Sequence, residues 1–218
     1  MLRKYMAEYL GTFILVFAGT AAIVVNDISG GIVTHVGIAM VFGLVVAAMI
    51  YTFGDISGAH LNPAVTLAFW YAKRFSGDLV LPYIISQTLG AISASLVVYI
   101  LFLNHDTFGA TLPAGSLQQS FILELILTFI LMLTIIHVAT GAKEKGIIAG
   151  VAIGSVVALE ALFAGPISGA SMNPARSIGP AIISGHLQTL WLYILAPIAG
   201  AWLAIICCRC VKGNGCCQ

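Results

Sequence analysis

The sequence predicts an all-α membrane protein built as an inverted repeat, with six transmembrane helices and two re-entrant half-helices. Three observations carry this prediction. Only 8% of the 218 residues are charged and 60% are hydrophobic, against roughly a quarter charged in a soluble domain. With a mean hydropathy of +1.06, a chain of this length has more apolar surface than a single soluble core can hide. Six apolar windows fall at about 6–25, 34–53, 80–103, 119–140, 147–165 and 189–208. Finally, the stretch Gly54-Asp-Ile-Ser-Gly-Ala-His-Leu-Asn-Pro-Ala64 returns 111 residues later as Gly165-Pro-Ile-Ser-Gly-Ala-Ser-Met-Asn-Pro-Ala175, with eight of eleven positions identical.

Each window is near the ~20 residues that cross ~30 Å of hydrocarbon. The first follows Arg3-Lys4 directly and reads as a spanning helix rather than a cleaved leader. It carries Glu8 with Thr12-Phe13, and the fourth carries Glu124 with Thr128-Phe129 at the same spacing. The third contains Gly90-Ala91 and the sixth Gly200-Ala201. The fifth is slightly short, which a modest tilt absorbs. Residues 1–104 and 118–211 therefore read as homologous halves of one domain, 1–218, joined by a polar stretch at 104–118. Three spans per half is an odd number, so the second half inserts upside down, and functional sites belong at mid-membrane where the halves meet.

A carboxylate inside a span is costly unless partnered. Because Glu8 and Glu124 repeat in register, both are expected to support the backbone of the repeated turns; Glu8 at the water interface is the plainer alternative. Of the nine basic residues, only Arg176 falls outside the side that holds both termini. The positive-inside bias makes that side cytoplasmic, so the expectation is a multi-pass protein of the cell membrane with both termini inside. Five cysteines, Cys207, Cys208, Cys210, Cys216 and Cys217, crowd the C-terminal end. Their expected compartment argues against disulfides; unconstrained thiols, juxtamembrane lipidation and adventitious metal binding stay open.

The segments after Ala64 and Ala175 look helical for only ~10 residues, about 15 Å. Neither can span, so both dip in and return, and such backbone survives at membrane depth only in protein or beside a wet cavity. In each Asn-Pro-Ala, Pro63 or Pro174 suits the first helical position. Asn62 or Asn173 caps the helix with its side-chain oxygen, which directs the carboxamide NH2 outward. Ala64 and Ala175 complete the two boxes. Two opposed half-helices would then bring their positive ends together, a centre that accepts water or a hydroxyl and repels protons and metal cations.

These residues, SGAHLNPAVT, SGASMNPARS and the paired Glu…Thr-Phe repeats, resemble the aquaporin (major intrinsic protein) family over essentially the whole chain. The fuller context AGPISGASMNPARSIGPAI is similar to its nodulin-26-like branch and microbial relatives. The resemblance implies a homotetramer with one pore per protomer, sitting in the lipid bilayer, and an outer selectivity filter of four positions: Phe42, Ala161, Ala170 and Arg176. Strict water channels carry histidine where Ala161 stands, so a wider, greasier opening is expected, passing water and small uncharged solutes such as glycerol. A one-residue shift of span five would put Glu160 there instead. Ser177, Ala181 and Tyr193 follow the water-channel pattern, whereas Ile194 does not. His60 is placed by the family at the inner vestibule; pinning of the turn is the competing reading. His35, His105 and His186 are expected to be solvated, in or near outer loops, and His137 in a structural role.

No histidine pair has metal-ligand spacing, no activated nucleophile is evident, and no cofactor, nucleic-acid partner or enzymatic activity is expected. Two other readings remain open: an ion-coupled secondary transporter, for which Glu160 and Asp55 are the spare carboxylates, and a mainly structural membrane protein.

Overall fold

The computed structural model describes residues 1–139 and 148–212. Among these it is all helical: α1 (Leu2–Ile28), α2 (Thr34–Ser57), α3 (Pro63–Tyr71), α4 (Gly77–Leu101), α5 (Leu117–Val138), α6 (Ala149–Ser168), α7 (Pro174–Ser184) and α8 (Leu192–Lys212). Six of them are long and apolar enough to cross a membrane; α3 and α7, of 9 and 11 residues, are not. Lys143 and Lys145, which contribute to the charge argument, lie outside the described residues.

The helices run past the apolar windows where polar residues still favour helix. In particular, α2 continues through Gly54-Asp-Ile-Ser57 and α6 through Gly165-Pro-Ile-Ser168. The repeated motif is thus divided: its first four residues finish a spanning helix and only Gly58–Leu61 and Gly169–Met172 form the turn. Glycine is required at the junction, since Gly58 and Gly169 end their helices at φ +87° and +85°, a left-handed cap that a Cβ penalises.

Packing repeats as well. α1 lies on α4 and α5 on α8. A Cβ on Gly90 would strike the Tyr9 carbonyl and Phe13 amide; one on Gly200 would strike the Leu125 carbonyl and Phe129 amide. The two crossings share one register and need hydrogen-sized side chains to bring backbones together. α2 crosses α6 where Gly43 faces the Gly154 carbonyl and Gly154 faces that of Gly43, the reciprocity expected at a pseudo-two-fold axis. Each half-helix packs across the halves, α3 on α8 and α7 on α4. Large apolar side chains such as Leu44, Leu81, Leu159 and Leu195 point outward, more than half exposed, as a lipid-facing surface requires.

Two expectations are corrected. His35 is less free than a loop-side histidine: it lies in the first turn of α2 and its Nε2 is 2.7 Å from the Leu162 carbonyl of α6, an acceptor left open because Pro166, four residues on, has no N–H. Cys208 is disulfide-bonded, while Cys207 and Cys210 are free. Compartment bears on which thiols stay reduced, not on which ones the chain brings together.

Candidate functional site

The turn before α3 is built around one carboxylate. Glu8 Oε1 accepts from the Ser57 hydroxyl (2.7 Å) and the His60 amide (2.9 Å), and Oε2 from the Leu61 amide and Gln87 Nε2, both 2.7 Å. Glu124 repeats this with the Ser168 hydroxyl (2.7 Å), the Ser171 amide (2.9 Å) and the Met172 amide (2.8 Å). Both acids are fully buried, so Glu8 is not at a water interface. Their bonds hold backbone that sterics disfavour: Ala59, Leu61, Ala170 and Met172 have φ of +46°, +52°, +41° and +54°, conformations that cost non-glycine residues of order 1–3 kcal/mol each. The Tyr83 hydroxyl donates to the Ser57 carbonyl (2.9 Å) and that of Tyr193 to the Ser168 carbonyl (2.6 Å), tying α4 and α8 to the same corners.

Both asparagines cap as the sequence suggests. Asn62 Oδ1 accepts from the Ala64 amide at 2.9 Å. Asn173 Oδ1 accepts from Ala175 at 3.0 Å and Arg176 at 3.4 Å. Their amide nitrogens do something the sequence does not indicate: Asn62 Nδ2 donates to the Met172 carbonyl and Asn173 Nδ2 to the Leu61 carbonyl, each at 2.8 Å. The two half-helices therefore start from one point, each amide held by the opposite turn. A carboxamide has two N–H donors, so one per asparagine remains after the cross-bond.

A lumen runs past this point. Asn62, Asn173, His60, Phe42, Ala161, Ala170 and Arg176 all line it. Pro63, Ala64, Pro174 and Ala175 do not; they are buried in the first turns of α3 and α7. One wall is apolar, with Val46, Ile50, Leu131, Ile135, Ile153 and Val157. The other is the backbone of the two turns. Ala161 lines the lumen and Glu160 does not. Glu160 is 1% exposed, and neither of its oxygens has a partner among the described residues. Asp55 is exposed and absent from the lining.

Arg176 is 2% exposed. Its guanidinium lies 5.1 Å from the Phe42 ring centroid, within cation–π range, and Nη1 donates to the Gly109 carbonyl at 3.0 Å. The connection between the halves thus does more than join them. Gly109 fixes Arg176, the Thr111 hydroxyl donates to Ser177 Oγ at 2.8 Å, and the Ala114 amide donates to the Ile167 carbonyl at 3.0 Å. Sequence reasoning missed Gly109, Thr111, Gln87 and Tyr83; the 110-residue offset between Tyr83 and Tyr193 was the available signal for the last. At the other end of the lumen, His60 Nδ1 sits 3.1 Å from Thr66 Oγ1, with its ring 4.8 Å from Phe69 and 4.7 Å from Phe75. It both lines the lumen and is pinned. No group of three or more metal-ligating side chains occurs among the described residues.

Six apolar helices around a lumen, entered by two half-helices, define a membrane channel. A family model described as "MIP: Major intrinsic protein" matches residues 1–207. The chain is 48% identical over 207 residues to Nodulin-26 of Glycine max, covering 93% of this chain and 76% of that protein. It is 49% identical over 201 residues to aquaporin NIP1-1 of Oryza sativa subsp. japonica, covering 92% and 71%. The X-ray structure of the aquaglyceroporin from Plasmodium falciparum superposes with a TM-score of 0.81 at 27% identity, covering 97% of this chain and 98% of that one. The chain belongs to the major intrinsic protein family, the aquaporins. It is a multi-pass membrane protein of a family of channels, not enzymes.

Proposed function

We propose that the chain is a passive channel for water and small uncharged solutes, glycerol among them, that excludes protons and ions. The observation that carries this is the meeting of Asn62 and Asn173 in the lumen, each held by the opposite turn. A solute oxygen there meets fixed amide donors and the positive ends of two half-helices. A cation is repelled by the same positive field, and a water whose oxygen accepts from both asparagines has no lone pair left to take a proton from its neighbour. Phe42, Ala161, Ala170 and Arg176 form the selecting wall, His60 lines the inner vestibule, and Glu8 and Glu124 support the turns. With two alanines facing Arg176, the opening admits a carbon chain beside the polar wall. The aquaglyceroporin from Plasmodium falciparum has the same fold.

The functional unit is one domain of two inverted halves, about 1–104 and 118–211. It sits in the cell membrane with both termini cytoplasmic and assembles as a homotetramer with one lumen per protomer. A coupled transporter is less well supported: its two spare carboxylates, Asp55 and Glu160, both lie off the lumen.

Stopped-flow light scattering on proteoliposomes tests the reading. Water flux well above bare lipid and measurable glycerol flux are expected, with no ion conductance. Ala161→His should cut glycerol flux about tenfold or more while sparing water, the discrimination that small steric changes provide. Exclusion of glycerol as complete as that of ions would sink the wide-opening proposal.

A further inference from the structure

We propose that Gly19 on α1 is a positioning residue for solute selection: it leaves the space in which the Phe42 ring lies against Arg176, and so sets the width of the lumen there. The inference rests on the reading of Phe42 and Arg176 as part of the selecting wall. Gly19 is buried and does not line the lumen. A Cβ built on it would fall onto three atoms of one edge of the Phe42 ring, closer than real Cβ atoms approach anything. The same ring carries the Arg176 guanidinium over its face and faces the lumen. Pushed away from α1, it moves into the lumen it lines.

The neighbouring residue acts on the other side of the same arginine. Thr20 packs against the Gly109 backbone, leaving no room for a Cβ there, and the Gly109 carbonyl accepts from Arg176. One turn of α1 therefore supports both the ring and the carbonyl between which Arg176 is held. Neither α1 residue touches the solute; both act through groups that do. In a core packed at solid density, a single methyl group at position 19 has to be answered by movement of the ring, since the α1 backbone is fixed by its packing on α2 and α4.

The test is a double-mutant cycle read as the ratio of glycerol to water permeability in proteoliposomes: wild type, Gly19→Ala, Phe42→Leu and the double variant. Gly19→Ala should lower the ratio about tenfold, the discrimination that a single methylene carries in a close-fitting site. In the Phe42→Leu background, Gly19→Ala should leave the ratio unchanged, because the ring through which it acts is gone. If Gly19→Ala folds only together with Phe42→Leu, and the double variant keeps the Phe42→Leu ratio, the positioning role also stands. An unchanged ratio in a folded Gly19→Ala, an equal fall in both backgrounds, or failure to fold in both would overturn the role of Gly19 alone. Absence of wild-type flux above bare lipid would overturn the channel reading with it.

Discussion

A buried carboxylate is tolerated when every lone pair that matters finds a donor, and Glu124 finds three within 3 Å. Hydrogen bonds to a charged group contribute about 1.5–3 kcal/mol each, enough to hold Ala170 and Met172 in left-handed backbone. Glutamine in its place would turn an NH2 toward the Met172 or Ser171 amide, donor against donor. Glu124→Gln should therefore cost about 3 kcal/mol or more, seen as a clear drop in the unfolding temperature of the detergent-solubilised protein. The acids, the asparagines and Arg176 were legible in the sequence because their chemistry resides in side chains that the chain repeats, or conspicuously fails to repeat. Gly109 was not, since it works through a carbonyl that every residue possesses. Gly19 was not either, because its contribution is the absence of a side chain and needs the neighbour's position to be read.

At the level of elements, the apolar windows located all six spans within a few residues, and Asn-Pro located the half-helices. Length and composition suffice for this, since a helix that must cross hydrocarbon has little freedom in either. The connection at 104–118 was legible only as polar: with no period to read, nothing announced that it folds inward onto α7. Close helix approach has the same character, for glycines are plentiful and only some are contacts. Gly154 is one, facing the Gly43 carbonyl and Ala47, whereas Gly54 has open space around its would-be Cβ. Gly154→Val should prise α2 from α6 at a cost of about 1–3 kcal/mol. Gly54→Ala should be neutral or stabilising by up to about 1 kcal/mol. Thermal unfolding of the two variants side by side checks the contrast, and similar behaviour would contradict the crossing described for α2 and α6.

For the whole molecule, the arrangement of charge speaks to mechanism. Among the described residues the lumen lining includes Arg176 and His60 but no carboxylate, so it offers no acidic site that could hold a sodium ion or proton in step with a solute. Solute flux should be indifferent to an imposed proton gradient, and Glu160→Gln should leave water permeability within about twofold, since Glu160 lies off the lumen and neither carboxyl oxygen holds a hydrogen bond among the described residues that glutamine would lose. Both can be read in the same vesicles by setting internal and external pH independently. Dependence of glycerol uptake on the gradient would point instead to a coupled transporter.

The paired asparagine bonds also govern when the pore comes into being. Asn62 holds the Met172 carbonyl and Asn173 that of Leu61, so neither centre is complete until a stretch of chain made 110 residues later has entered the membrane. During synthesis the first half contributes a capped helix and an unanswered donor, but no passage. The centre therefore forms only once both halves are in the membrane and the second turn docks against the first.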